Sequence, residues 1–245
     1  MPHQIVIGDL TFVCDDAYEV ARAQTLYTKE PGTIAWLRAT LGPGDVFYDI
    51  GANIGCYSLV AARLVGETGH VYAFEPHLMN AMSLLRNIQA NDDVTQLITV
   101  VTTPLDNRSA LRPFHYASLR AGSSGHQLGS PIGERGVFQP VVSVLAQSMR
   151  LSEARGLHAP DVVKIDVDGH ELSILQGMVF GATVRSLQVE VHPADRTAII
   201  EHMAGAGLGY HLASRHYTQN GQKAVDAGAE PDRVTDNAIF TRVAA

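Results

Sequence analysis

The chain is poor in most features that would tie it to a special setting. It has two cysteines, Cys14 and Cys56, in 245 residues. Two thiols do not make a disulfide framework, and a reducing cytoplasm is the expected setting. Basic charge is not in excess. Lys and Arg number 18 against 25 Asp and Glu, the net charge is −7, and no Lys/Arg cluster exceeds two residues. Surfaces that bind a phosphate backbone carry a basic face, so no nucleic-acid partner is expected. The start, Met1-Pro2-His3-Gln4, lacks the basic stretch and long apolar run of a signal peptide. No apolar run approaches the ~20 residues of a membrane span, so no membrane partner is expected either. No internal repeat occurs. What is present is ordinary: 46% hydrophobic and 18% charged residues suit a globular protein. The length suits one structural domain with a sizeable core.

Strand and helix patterns alternate along most of the chain. Gln4–Val13 reads as a hairpin turning at Gly8-Asp9, and Ala17–Tyr27 as a helix or irregular cover. Thr33–Leu41 carries Ile34, Leu37 and Leu41 at helical spacing. Residues 1–43 are thus expected to cap a core of residues 44–245. In that core Val46–Ile50, His70–Phe74, Leu97–Thr102, Asp161–Asp166 and Leu187–Val191 read as strands. Cys56–Val65, Leu78–Ala90 and Glu171–Gly177 read as helices, the second with Met79, Met82, Leu85 and Ile88 as its apolar stripe. Continuous apolar strands separated by helices imply an α/β fold, a parallel sheet covered on both faces. Asn107–Gln139 has no clear period and is rich in glycine, which reads as a functional loop or lid. Tyr210–Ser214 and Ala238–Val243 read as a late hairpin around a polar loop, Gln219–Asp236.

The run Asp49-Ile50-Gly51-Ala52-Asn53-Ile54-Gly55 ends the first core strand and opens a helix. Gly51 and Gly55 let the backbone turn sharply and approach a ligand. The helix start offers free N–H groups to a phosphate or a carboxylate. Alone, the spacing is weak evidence, since a turn without a ligand has it too. Glu75, at the end of the second strand and 20 residues after Gly55, stands where a carboxylate meets ribose hydroxyls; a solvated strand-end Glu is the plainer reading of that residue by itself. A dinucleotide loop needs G-x-G-x-x-G, and here Asn53 takes the place of the second glycine. That argues against a pyrophosphate and for a ligand without one. Neither Tyr18 nor Tyr217 has a Lys four residues on, which counts against a nucleotide-sugar or NAD-dependent oxidoreductase. A cofactor-binding module without turnover stays open.

Three blocks carry a resemblance: Phe47–Ser58, Phe74-Glu75-Pro76 and Val163–Gly177. In sequence, order and spacing they resemble the FkbM family of S-adenosylmethionine-dependent methyltransferases, over about Pro31–Arg242. The resemblance implies the class I methyltransferase (Rossmann-like) fold, a seven-stranded, mostly parallel sheet with helices on both faces and its last strand antiparallel. It implies S-adenosylmethionine as cofactor and O-methylation of a small-molecule hydroxyl, on a sugar or a natural-product intermediate. Carried over, the loop of Gly51, Asn53 and Gly55 would hold the methionine part of the cofactor and Glu75 its ribose. Asp49 would face its amino-acid end, and Asp106 would accept from the adenine amino group. The chain departs from the family in Pro104-Leu105, where Ala-Leu is common. It also has Asp168 for a Glu and His170 for a small residue.

Methyl transfer from a sulfonium needs in-line positioning and gains from a base near the acceptor hydroxyl. Candidates at the carboxyl ends of the central strands are Asp166, His170 and His192, with Asp168 and Glu190 beside them. A histidine titrates near pH ~6.5, although His192 is equally a turn residue before Pro193. Asp166, Asp168, Glu190 and His192 also offer ligand types for Mg²⁺, without a spacing that calls for a metal. Lys164, mid-strand, reads as half of a buried ion pair. His126, in the glycine-serine loop, is either a cover for the substrate or a surface residue. His3, His77, His115, His158, His202, His211 and His216 read as surface residues. An oligomer stays open.

Overall fold

A computed structural model describes residues 3–133, 136–179, 181, 183–205 and 209–242. The chain opens with a hairpin, β1 (His3–Ile7) and β2 (Leu10–Cys14), then α1 (Ala17–Gln24) and α2 (Pro31–Thr40). The Asp16 side chain accepts from the Tyr18 and Glu19 amides and so starts α1. Pro31, with no N–H to lose, starts α2. The core follows as β3 (Val46–Ile50), α3 (Cys56–Val65), β4 (His70–Phe74), α4 (Leu78–Gln89) and β5 (Ile98–Val101). Then come β6 (Leu111–Tyr116), β7 (Gln127–Leu128), β8 (Ile132–Gly133), β9 (Gly136–Val137) and β10 (Val142–Gln147). The chain returns to the core with β11 (Val162–Ile165), α5 (Glu171–Gly177), β12 (Ser186–Val191), α6 (Arg196–Ala204), β13 (Tyr210–Tyr217), α7 (Gln219–Asp226) and β14 (Asp236–Arg242).

Seven strands form the main sheet, in the order β13-β14-β12-β11-β3-β4-β5. Pairing is parallel from β12 through β11, β3 and β4 to β5. β14 pairs antiparallel with both β12 and β13, so it alone runs against the rest. This is the expected seven-stranded sheet with its last strand reversed. Successive residues of a strand point to opposite faces. Phe47 joins the apolar cluster beneath α2, α3 and the β1–β2 hairpin, whereas Tyr48 and Ile50 join the cluster with Leu175, Leu187 and Phe240 on the other face. Both faces are covered, which explains the unbroken apolar strands. The segment before β3 contributes Leu10, Phe12, Trp36 and Leu37 to the same cluster as Leu59, Val71 and Leu84.

Four features differ from the sequence reading. The stretch 107–139 is in good part strand. β6, β7 and β10 form a second antiparallel sheet in the order β10-β6-β7, while Glu134 and Arg135 lie outside the described residues, as does Val243 at the end of the last expected strand. The polar loop 219–236 holds α7, and α6 has no counterpart in the expected elements. The apolar stripe of α4 faces outward: Met79, Met82 and Leu85 are exposed, and only Ile88 is buried. Its buried face mixes Ala81, Leu84 and Ile88 with polar groups that each have a partner. Ser83 donates to Glu19, Asn87 accepts from the Val13 amide at 2.8 Å and donates to the Ile54 carbonyl at 2.8 Å, and Asn91 binds Thr11.

Candidate active site

A cleft of about 650 Å³ lies across the carboxyl ends of β3, β4 and β11, where ligands bind in open α/β sheets. Its floor is the loop between β3 and α3. Gly51 has φ +87°, and a Cβ there would stand 1.8 Å from the Asp166 carbonyl oxygen. Only glycine lets this loop pass against the end of β11. Asn53 also sits in the left-handed region, at φ 52°, where Asn is tolerated better than most residues. That turn aims its backbone N–H at Glu75 Oε2, 2.7 Å away. Glu75 Oε1 accepts from the His77 amide at 2.9 Å. Burial pushes the Glu75 carboxyl up to about 7, against the pull of these amides. Glu75 and Asn53 line the cleft, and Phe74, Leu105 and Ile174 give it an apolar wall.

The connection from β6 to β7 covers the cleft. The Ser123 carbonyl accepts from the side-chain amides of Asn53 at 2.9 Å and Asn80 at 3.0 Å. The Gly125 amide donates to Asp168 Oδ2 at 2.7 Å, and Gln127 Nε2 to the Asp168 carbonyl at 2.8 Å. His126 stacks on His77, with ring centroids 3.8 Å apart and planes 4° apart. Burial and the neighbouring imidazole pull His126 down to about 3, so it is neutral near pH 7. His77, expected at the surface, is buried and caps α4 by accepting from the Asn80 amide. His126 therefore covers the cleft beside Glu75.

The other expected residues separate into distinct places. Asp49 is fully buried and does not line the cleft. Ser58 Oγ donates to its Oδ2 at 2.6 Å, and Lys164 Nζ lies 3.6 Å from Oδ1. Lys164 is buried and bridges Asp49 to Asp166, 3.0 Å away. The two carboxylates, Asp166 foremost, hold its ammonium well above the usual lysine range against the penalty of burial. Asp166 does face the cleft, but the Lys164 charge brings it down to about 2, too weak a base for a hydroxyl. Asp106 is buried behind the wall formed by Leu105. Its carboxylate binds Arg112, Ser173 at 2.6 Å and His170 at 3.1 Å, which ties the β5–β6 connection to β6 and α5. His170, engaged there, belongs to that end of the cleft.

A second, polar chamber of about 790 Å³ opens beside the cleft and shares Gly51, Asn53, Asp166 and Asp168 with it. Glu190 from β12, Thr235, Asn220 and, from the amino-terminal segment, Arg22 and Lys29 complete its wall. Burial first, and then the Asp166 charge, push Glu190 well above the usual carboxylate range. His192 is nearly buried behind it, with Nε2 3.4 Å from Glu190 Oε2 and Nδ1 2.9 Å from Thr235 Oγ1. Of the four Mg²⁺ candidates, Glu190 and His192 stay together, with ligand atoms within 4.8 Å of each other and of Glu171. Asp166 is held by Lys164 and Asp168 by Gly125. The Glu171 oxygens accept from the Val167 and Gly169 amides. Glu190 was visible in the sequence as the single acid in an apolar strand end, whereas Arg22 and Lys29 gave no signal.

Residues 49–212 match the methyltransferase FkbM domain family. The hexuronic acid methyltransferase AglP of Haloferax volcanii is 27% identical over 161 residues, which are 64% of this chain and 61% of that protein. The chain thus matches about three-fifths of the length of this curated relative. An S-adenosylmethionine-dependent O-methyltransferase from Thermotoga maritima superposes with a TM-score of 0.53 at 12% identity, covering 99% of this chain and 78% of that one. The methyltransferase FkbM from Methylobacillus flagellatus superposes with a TM-score of 0.50 at 17% identity, covering 92% and 55%. At these identities the two structures speak to the fold alone, and they share it. The match over residues 49–212 decides the family: the chain belongs to the FkbM methyltransferases.

Proposed function

We propose that the protein transfers a methyl group from S-adenosylmethionine to a hydroxyl of a small molecule, a sugar or a glycosylated intermediate. The observation that carries this reading is the junction at Gly51, Asn53 and Asp166, where a cleft with an apolar wall and a buried carboxylate meets a polar chamber. The cleft fits the cofactor. Leu105 and Ile174 offer apolar surface to a base, Glu75 two oxygens to a diol, and the glycine loop a close approach to an amino-acid tail. When bound, the cofactor supplies an electrophilic methyl group. Acceptors of the sugar class are in keeping with the AglP relative, which is named for a hexuronic acid.

The base in this reading is Glu190, because it lines the chamber and burial raises its proton affinity above that of an ordinary carboxylate. His192, hydrogen-bonded to Thr235, positions it. Asp166 instead anchors Lys164 and keeps the β11 end against Gly51. Glu190→Gln should lower turnover by about 10²-fold or more, the size of a lost general base, while the S-adenosylhomocysteine Kd stays within twofold. The reading as a whole is tested by calorimetric titration with S-adenosylmethionine, S-adenosylhomocysteine and NAD. Binding of NAD with neither sulfur ligand bound would overturn it in favour of an oxidoreductase.

A further inference from the structure

The amino-terminal segment, outside the residues that match the family, places a cation in the wall of the chamber, beside the glycine loop. Arg22, on the last turn of α1, is half-buried and lines two neighbouring hollows, one over the glycine loop and one against Glu190. Among the described residues its guanidinium has no hydrogen bond and no ion pair within contact distance; its charge and that of Lys29 act on Asp166 from farther off, and each acid around it has a closer partner, Glu30 having Lys29. Asp166 is held by Lys164, Asp168 by Gly125, and Glu190 by His192. Lys29 lines the same two hollows and gives one contact, 3.3 Å, to Glu30. The hollow over the glycine loop is completed by Cys56 and Tyr57, the first residues of α3. That helix has no side-chain cap at its start, where the first amides have no intrahelical partner and the dipole is positive. A half-buried guanidinium keeps its charge and pairs with planar anions in two-pronged geometry.

We infer that Arg22 and Lys29, with the uncapped start of α3, form a carboxylate-binding subsite that fixes one ligand of the methyl-transfer site. The inference rests on the methyltransferase reading above. Two sources present the same chemistry: the α-carboxylate of the cofactor's methionine tail, reached over the glycine loop, and a carboxylate on the acceptor, reached through the chamber.

The test is calorimetry on the full chain and on Arg22→Gln. S-Adenosylhomocysteine is compared with 5′-methylthioadenosine, which keeps the adenosine and sulfur but lacks the amino-acid end. A fall of about tenfold or more in affinity for S-adenosylhomocysteine, with 5′-methylthioadenosine within twofold, assigns the subsite to the cofactor and shows that the variant is folded. If both affinities are unchanged, D-gluconate and D-glucose are titrated into protein saturated with S-adenosylhomocysteine. Gluconate binding that Arg22→Gln weakens about tenfold, with glucose unaffected, assigns the subsite to the acceptor. No carboxylate response to Arg22→Gln in either arm overturns the subsite. Wild-type protein that binds neither adenosine ligand overturns the methyltransferase reading instead.

Discussion

At the scale of single residues, Glu75 carries the most information. Its carboxylate is buried at the end of β4, fixed by two backbone amides, and pushed up to about 7 chiefly by burial. Hydroxyl donors from a ribose would stabilise its charged form and lower its proton affinity, so cofactor binding near pH 6 should release a proton. Affinity should rise as pH passes from 5 to 8. Titration in two buffers of different ionisation enthalpy reads the proton directly, and zero release at pH 6 would remove Glu75 from the ribose role. Glu75→Ala should weaken S-adenosylhomocysteine at least tenfold, since hydrogen bonds to a charged group are worth about 1.5–3 kcal/mol. The place of Glu75, Gly51 and Asn53 at the cleft was legible in the sequence because it depends on local backbone geometry. Asp166 and His170 do line the cleft, whereas Asp49 and Asp106 are buried against Lys164 and Arg112, partners on other elements that the sequence does not pair with them. An acid at a strand end looks the same whether it faces a ligand or a buried cation.

At the scale of elements, the core strands and the helices that follow β3 and β4 were legible because both faces of the sheet are covered. Unbroken apolar runs then leave few choices. Most of the expected stripe of α4 faces outward: apolar spacing misses an inward face that is part polar, and here Asn87 and Ser83 join Leu84 and Ile88 there and anchor the amino-terminal segment. The sheet of β6, β7 and β10 was missed because much of β10 is exposed and β7 has two residues. Asp168 links that sheet to the site. Its side chain and carbonyl hold Gly125 and Gln127 over the cleft. Asp168→Ala should loosen this cover and speed S-adenosylhomocysteine dissociation by about fivefold, with a smaller change in association, as affinity differences among variants of one site fall mainly on the off-rate. Stopped-flow displacement measures both. An unchanged off-rate would mean that the β6–β7 connection stays closed without Asp168.

At the scale of the whole molecule, buried ionisable groups set opposing demands on pH. Glu75 and Glu171 are each pushed up to about 7, mainly by burial. A carboxyl raised in the folded state contributes stability that is present below its unfolded value, near 4.5, and is lost as pH rises through 7. His126, pulled down to about 3, acts in the other direction: its contribution is present above 6.5 and lost as pH falls through 3. Between about pH 4.5 and 7 the two carboxyls outweigh the single imidazole, so on these groups the wild-type thermal midpoint should fall modestly as pH rises there without ligand. Single variants separate the terms. Glu75→Gln removes a group that must ionise while buried, so its midpoint relative to wild type should climb as pH goes from 5 to 8. The same comparison made with saturating S-adenosylhomocysteine should reverse, because the ligand then stabilises the wild-type carboxylate and has less to bind in the variant. A difference between the two proteins that stays flat with pH, measured by calorimetric melts without ligand, would show that the amides of Asn53 and His77 already hold Glu75 ionised across that range.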